Sequence, residues 1–327
     1  MWHEIFNSQL IAEAFGAAAT IFIFGGLGYL FTDRAGVFNI TIEGLLLFSA
    51  FFAAVVAGVT NNLLLGIAAG IASSIVVSII FFAISIGLKA DIIVVGIAIN
   101  LLASSTTVFL LNHWFGNEGL YQPANLPTIP NASIPLLDRL PVLGPTFSDQ
   151  SLFSYLAWLM VPACVVLLYH TPLGLRIRSV GENPEAAATV GINVVRTQFT
   201  AIIICAILSG LGGCYLSIGP LSGFNRDMSA GQGWIALAAE TLGAGTPIGT
   251  FVSAVFFGAA QGMASNMQAV GIGASGIAHS IPYAATVIGL AVASRREYIR
   301  RRMRRGRTPT APTEAEVAPA PQVLSGG

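Results

Sequence analysis

The stretch LLLGIAAGIASSIVVSIIFFAISIGL, residues 63–88, contains no charged side chain. About 20 mostly apolar residues allow a helix to cross the roughly 30 Å hydrocarbon core of a bilayer. A helix also bonds its backbone polar groups internally, which lipid requires. In the whole chain 54% of the residues are hydrophobic and only 9% are charged, whereas soluble proteins carry about 25% charged residues. The sequence therefore predicts an all-α integral membrane protein.

Comparable apolar segments recur on both sides of this stretch. The segments predicted to span the membrane are 9–31, 37–59, 63–88, 92–111, 151–169, 198–218, 248–264 and 275–293. A ninth segment, 234–242, is too short to cross alone unless the glycine-rich run after it continues it as a broken helix. We expect about nine transmembrane helices, within a range of about eight to ten, in one domain of residues 1–305.

The basic residues predict an orientation, because loops rich in Lys and Arg stay on the cytoplasmic side. Eight of the fifteen lie between Arg295 and Arg307. With nine crossings and a cytoplasmic C-terminus, only Arg139 and Arg226 fall outside. The N-terminus is then external. The basic residues before the tail that fall inside are Arg34, Lys89, Arg176, Arg178 and Arg196.

Two regions are predicted to lie outside the membrane without regular structure. The connection 112–150 contains six prolines and suits an irregular cap on the outer surface. The tail 306–327 is rich in Thr, Ala, Pro and Glu, so we expect it to be disordered and cytoplasmic. The three cysteines lie in apolar runs without metal-type spacing, so we expect no metal site.

The predicted cytoplasmic connection 171–196 reads TPLGLRIRSVGENPEAAATVGINVVR and specifies a short helix outside the membrane. Asn183 is a suitable N-cap, Pro184 fits the first helical position, and Glu185 suits the positive end of the helix dipole. Gly191 then ends the helix. About seven residues are too few for a stable isolated helix, so a partner surface or the membrane domain must hold it.

Three parts of the chain together resemble ABC importer permeases of the branched-chain amino acid and simple-sugar permease family. GVFNITIEGLLL, residues 36–47, resembles a segment of the nucleoside-type and simple-sugar members. A second match is the stretch 234–262 with its Gly and Pro break. The third resembles the family's coupling loop and consists of Gly174, Arg176, Arg178, Gly181, Asn183, Pro184, Ala186, Ala187, Gly191 and Ile192.

The resemblance implies an ABC importer permease fold in the cell membrane and a mechanism that needs partners. The short helix after Pro184 would sit in a groove of a separate ATPase subunit, which would bind ATP and Mg. This chain has no G-x-x-x-x-G-K-[ST] phosphate loop, so we expect no cofactor in it and no enzymatic activity of its own. The other expected partners are an extracytoplasmic solute-binding protein and a second copy or a related permease. No nucleic acid is expected.

Carboxylates inside apolar segments are candidates for the solute pathway, because an ionisable group in hydrocarbon requires a partner or water. Glu13 lies near a helix end and either reaches the interface or faces solute. Asn39 and Glu43 are four residues apart, so we expect them to share a helix face beside a break at Gly36. Glu43 either binds solute hydroxyls or holds the broken helix together, and the same alternatives apply to Glu240.

Amide and aromatic side chains are further candidates. Asn100, Gln232 and Asn266 both donate and accept hydrogen bonds, which suits solute hydroxyls, base edges or bonds between helices. Trp234, beside Gln232, is the preferred aromatic side chain for stacking on a nucleobase. The predicted function is a permease subunit that imports a nucleoside or simple sugar. The alternative is a secondary transporter in which Glu43 or Glu240 binds a proton or sodium.

Overall fold

A computed structural model describes residues 16–116, 119–132, 150–219, 222–269 and 284. A π-helical turn, Ala83–Gly87, continues the third helix. The two-residue strands are β1 (Leu120–Tyr121), β2 (Asn131–Ala132), β3 (Gln150–Ser151) and β4 (Phe224–Asn225). The α-helices in these ranges are α1 (Ala17–Arg34), α2 (Ile42–Thr60), α3 (Leu63–Phe82), α4 (Ile92–Phe115), α5 (Leu152–His170), α6 (Pro172–Glu182), α7 (Pro184–Thr189), α8 (Val194–Ile218), α9 (Gln232–Leu242) and α10 (Pro247–Ala269).

Six helices of the described ranges are long and apolar enough to cross a membrane: α2, α3 with its π-helical turn, α4, α5, α8 and α10. Together with the short α9, they bear out the prediction of a mostly helical membrane protein. Residues 9–15 and all of 275–293 except Ala284 lie outside the described residues, and so do Glu13 and the tail 306–327. The count of about nine crossings therefore stays a prediction.

Contacts between helix ends define two ends of the bundle. At the basic-loop end, which carries residues 171–196, Gly181 lies against Arg34 and Gly36. At the cap end, which carries residues 119–132, Gly58 of α2 lies against Tyr121. Arg34 and the arginines of residues 171–196 thus share one end, as their predicted grouping requires.

The cap is tied to the bundle by short strand pairs and single hydrogen bonds. β1 pairs with β4 and β2 with β3, both antiparallel. Ile129 N donates to Ile218 O at 2.9 Å, which fixes the cap to the end of α8. Helix α4 runs to Phe115, so the irregular region begins later than the predicted residue 112. Residues 133–149 of this connection lie outside the described ranges.

The two halves of the bundle repeat one arrangement in opposite directions. α1 runs toward the basic-loop end and packs against α9 and α10, while α8 runs toward the cap end and packs against α2 and α3. α1 and α8 also pack against each other at the centre. In each half the first helix is followed by an irregular segment and then by a helix that begins partway along the bundle. Inverted repeats with interrupted helices are common in membrane transporters.

Both interruptions lie at the same depth. Gly25, near the midpoint of α1, lies against Ile42, the first residue of α2, and against Ala236 in α9. Residues 35–41 and 222–231 approach this level from opposite ends without forming an α-helix. We call them the first break and the second break. The predicted interruption near Gly36 is therefore present.

Candidate functional site

Glu43 joins the two breaks at mid-bundle. Its two carboxylate oxygens accept hydrogen bonds from Gly231 N at 2.8 Å and Gly233 N at 2.7 Å. These amides belong to the N-terminus of α9, whose free N–H groups and positive dipole end favour an anion. Glu43 was predicted either to bind solute hydroxyls or to hold the broken helix together. The geometry matches the second role, but the helix that Glu43 holds is α9 and not its own helix α2.

Asn39 does not share a helix face with Glu43, so that prediction is wrong. Helix α2 begins at Ile42, and Asn39 lies in the first break, where its carboxamide oxygen accepts from Thr41 N at 3.0 Å and Thr41 Oγ1 at 2.6 Å. Such local bonds compete with helix formation and close a turn instead. The Asn39 amide nitrogen contacts Cys205 Sγ at 3.5 Å. Asn39 is fully buried and stabilises the first break from within.

Asn100 of α4 clasps the junction between the first break and α2. Its oxygen accepts from Gly44 N at 2.9 Å and its nitrogen donates to Ile40 O at 3.0 Å. Both ends of the carboxamide therefore bond backbone groups that have no intrahelical partner, because the break interrupts the helix there. This geometry matches the alternative in which Asn100 bonds between helices.

Arg34 holds the other end of α9, a role that the sequence analysis missed. Its guanidinium donates to Gly245 O through Nε at 2.7 Å and through a terminal nitrogen, which also reaches Ala244 O at 3.3 Å. These carbonyls follow the C-terminus of α9, where a cation complements the helix dipole. The position of Arg34 next to the Gly36 break was the available signal, but nothing local indicated a partner more than 200 residues away.

Glu240 lies deep in the bundle, with 2% of its surface exposed and Asp33 and Arg34 as charged neighbours. Its Oε1 atom has no hydrogen-bond partner among the described residues. Thr250 of α10, also buried, packs against Gly26 and Gly243 close to the same face of α9. In this conformation Glu240 does not line an open surface.

The remaining pathway candidates are separated from one another. Trp234 is 44% exposed on the outer face of α9, and Gln232 is half-buried beside the Glu43 bonds, with Oε1 unpaired in the described structure. Asn266 is half-buried in the last turn of α10. It lies about 24 Å along that helix from Thr250, given a rise of 1.5 Å per residue, and so away from the breaks. Glu43, Asn100 and Gln232 are brought together, whereas Asn266 is not.

The coupling-loop candidates form two helices instead of the single short one predicted. Before α7, residues Pro172–Glu182 form α6, which is held to the bundle through buried Gly174, Ile177 and Val180. The spacing of these residues on one helix face was a signal that the sequence analysis missed. The Arg178 guanidinium lies over the Tyr169 ring at 5.0 Å, and Arg176 is exposed.

The local prediction for α7 is confirmed. The Asn183 side chain accepts from Ala186 N at 3.0 Å, Pro184 is the first helical residue, and Gly191 has a φ of +84° after the helix. Within α7 only Ala187 is buried. The helix with Glu185 and Ala186 thus presents an exposed surface at the basic-loop end.

Broken helices whose ends meet inside an apolar bundle are typical of membrane transport proteins. Residues 11–293 match the protein family described as branched-chain amino acid transport system / permease component, and the chain belongs to this family. The predicted family is thereby confirmed.

Several relatives cover most of the chain, and two of them are named as guanosine or nucleoside permeases. The guanosine ABC transporter permease protein NupQ of Bacillus subtilis (strain 168) is 36% identical over 268 residues, which are 78% of this chain and 82% of the relative. The nucleoside ABC transporter permease protein NupC of Lactococcus lactis subsp. cremoris (strain MG1363) is 33% identical over 297 residues, which are 87% of this chain and 92% of the relative. No solved structure matches the chain.

Proposed function

We propose that the chain is the membrane-spanning permease subunit of an ATP-binding cassette importer that moves nucleosides into the cell. The observation that carries the proposal is the exposed helix α7, capped by Asn183 and held by α6 at one end of a broken-helix bundle. The two nucleoside permeases similar to most of this chain support the class of solute. We favour this function over an ion-coupled secondary transporter, which has no need of α7.

The proposal includes an orientation and a set of partners. The basic-loop end faces the cytoplasm, the chain crosses about nine times, and the C-terminus is cytoplasmic. A separate ATPase subunit binds ATP and Mg and receives α7. A solute-binding protein docks on the cap end, and a second copy or a related permease completes the pathway.

The proposed solute contacts lie at the level of the breaks. The exposed Trp234 ring offers a stacking surface for a nucleobase. The unpaired Gln232 Oε1 is buried and becomes an acceptor for solute in a conformation that uncovers it. Asn39, Glu43 and Asn100 shape this level by holding the breaks, and Glu240 and Asn266 are secondary candidates. A simple sugar has hydroxyls but no aromatic base, so stacking distinguishes the two solute classes.

The test is to co-purify the chain with its encoded neighbours and to reconstitute the complex in liposomes. We expect guanosine, with the external binding protein, to stimulate ATP hydrolysis more than ribose does. Deleting residues 185–188 should abolish association of the ATPase, whereas Glu185→Gln, which leaves α7 intact, should preserve it. Uptake that continues without any ATPase would overturn the proposal in favour of a secondary carrier, and stronger stimulation by ribose would replace the nucleoside with a sugar.

A further inference from the structure

We propose that α9 is the moving half-helix of this permease, held between Arg34 and Glu43, and that the basic-loop end drives it through the contact of Gly181 with Arg34 and Gly36. The inference rests on the proposed function and adds the element that moves and the residues that move it.

The charges at the two ends of α9 match its dipole. Glu43 accepts from Gly231 N and Gly233 N at the N-terminus, while Arg34 donates to Gly245 O and Ala244 O after the C-terminus. A helix of eleven residues is about 16 Å long, so the two side chains hold its whole length. Charge-assisted hydrogen bonds are stronger than neutral ones, especially where water is excluded. The position of α9 along the bundle is therefore set by these two side chains.

Both charges come from the ends of one short segment. Arg34 is the last residue of α1 and Glu43 lies in the first turn of α2, so the first break connects them directly. A change in the length or tilt of residues 35–41 would therefore move the two anchoring side chains relative to each other and displace α9 with them. The first break and α9 form one mechanical unit although 188 residues separate Glu43 from Gly231.

The backbone on each side of α9 adopts left-handed conformations that most residues avoid. Asp227 and Ala230 have positive φ before the helix, and Ala244 has positive φ after it. Strained conformations of this kind persist only where surrounding contacts impose them. Release of either charged side chain would let these flanking residues relax, so they suit the role of hinges.

The surface beneath α9 has little to obstruct sliding. A methyl group on Gly25 would lie 2.8 Å from Ala236 Cβ, and one on Gly26 would lie 3.1 Å from Ala236 O. The backbones of α1 and α9 thus approach closely at this level, because the residues that meet there, Gly25 and Ala236, are small. Ile235 on the same helix is buried, so the polar bonds at the helix ends fix the register together with this packing.

The input to this unit is a backbone contact with α6. A methyl group on Gly181 would lie 2.2 Å from Arg34 O and 3.1 Å from Gly36 N. Gly181 is the penultimate residue of α6 and lies two residues before Asn183, the N-cap of α7. A movement of α6 and α7 imposed by a partner therefore pushes directly on the residue that holds the C-terminal end of α9.

Substitutions at the two charges test the clamp in the assembled transporter. We expect Arg34→Gln and Glu43→Gln each to lower solute uptake by about tenfold or more, which corresponds to about 1.4 kcal/mol. Assembly with the ATPase and its basal hydrolysis should remain. Arg34→Lys keeps the charge but loses the forked geometry, so its loss should be smaller. Uptake at the level of the unaltered chain in both glutamine variants, with the ATPase bound, would overturn the inference and leave the proposed function intact.

A reversible cross-link tests movement even if the charge variants fold poorly. In the chain with Gly25→Cys and Ala236→Cys, the two Cβ atoms would lie 2.8 Å apart, so α1 and α9 must separate by about 1 Å to reach the roughly 3.5 to 4.5 Å of a disulfide. Oxidation should then join α1 to α9, stop uptake, and leave the ATPase bound, and a reductant should restore uptake. The two single-cysteine chains, treated with the same oxidant, control for oxidation of the native Cys164, Cys205 and Cys214, which are buried. Full uptake by the cross-linked chain would show that α9 does not move against α1 and would overturn the inference.

The input contact has its own matched pair of variants. We expect Gly181→Ala to uncouple hydrolysis from uptake, since its methyl group collides with the Arg34 carbonyl. Gly87→Ala, also at the basic-loop end, places its methyl group no closer than 4.0 Å to the atoms around it and should leave the ratio of uptake to hydrolysis unchanged. An unchanged ratio in Gly181→Ala would contradict the proposed route. Failure of the unaltered chain to bind any ATPase would instead contradict the proposed function.

Discussion

The two broken crossings differ in how the N-terminus of their helix is held. At the first, α2 starts against neutral groups close by: Asn39 bonds Thr41, and Asn100 bonds Gly44. At the second, α9 starts against the carboxylate of Glu43, which belongs to the other crossing. One helix start is therefore held by its own segment and a neighbouring helix, and the other by a charge from the opposite repeat.

The difference extends to the surroundings of each helix. Most of α2 is buried among α3, α4 and α8, and its apolar side chains interdigitate there. α9 has only eleven residues and an exposed Trp234. A long buried helix resists displacement by many dispersion contacts, whereas a short one depends on the few polar bonds at its ends. An inverted repeat can thus combine one fixed and one mobile half-helix.

The largest expected effect comes from Glu43→Ala, which removes the charge that holds α9. Two partly buried amides lose their acceptor. Charge-assisted bonds contribute about 1.5 to 3 kcal/mol each, so we expect uptake to fall by about 100-fold. Uptake into proteoliposomes measures this. Co-purification with the ATPase is the control for folding. Near-normal uptake by Glu43→Ala would contradict the distinction between the two helix starts.

Gly213→Ala tests whether α2 is fixed by packing. A methyl group there would lie 1.8 Å from Ser49 Oγ and 2.3 Å from Leu46 O, and overpacking costs about 1 to 3 kcal/mol. We expect a lower midpoint of thermal unfolding in detergent. At the adjacent Gly212 the nearest atom is a Leu46 methyl carbon at 3.1 Å, which is able to shift, so Gly212→Ala should cost less. Equal midpoints for the two variants would contradict the tight contact between α2 and α8.

Asn100→Ala tests the neutral clasp of the first break. It removes two neutral hydrogen bonds of about 1 kcal/mol each, so we expect a loss of about 1 to 2 kcal/mol in stability and a smaller loss of uptake than in Glu43→Ala. Asn112→Ala, an exposed site on the same helix, is the matched control and should change stability by less than about 0.5 kcal/mol. Equal free energies of unfolding for Asn100→Ala and Asn112→Ala would show that the bonds of Asn100 do not stabilise the first break.

The smallest expected effect is that of Asn183→Ala on α7. Loss of an N-cap costs about 1 kcal/mol, which should weaken ATPase binding by about fivefold without unfolding the membrane bundle. Asn183→Asp retains an acceptor for Ala186 N and should bind the ATPase normally. Titration of the ATPase against the reconstituted permease measures both, and equal affinity for the alanine and aspartate variants would show that the cap has no part in coupling.

Much of the architecture followed from short-range patterns. The charge-free run 63–88 predicted a spanning helix, and the order Asn183, Pro184, Gly191 predicted the start and end of α7. The prediction for Asn39 and Glu43 was wrong because it assumed a helix through residues 39–43, whereas the Asn39 side chain closes a turn before Ile42. A local competition between side-chain and backbone bonds decided that point.

The sequence by itself determined the membrane class, the interruption near Gly36, the short helix before Gly243 and the capped α7. These features follow from apolar length, glycine and capping residues, whose effects act within a few positions along the chain. Only the tertiary structure decided that the two halves run in opposite directions and that Arg34 and Glu43 hold opposite ends of α9. Those bonds join residues 188 to 211 positions apart, and because any backbone N–H satisfies a carboxylate and any carbonyl satisfies a guanidinium, packing alone selects which one each side chain meets.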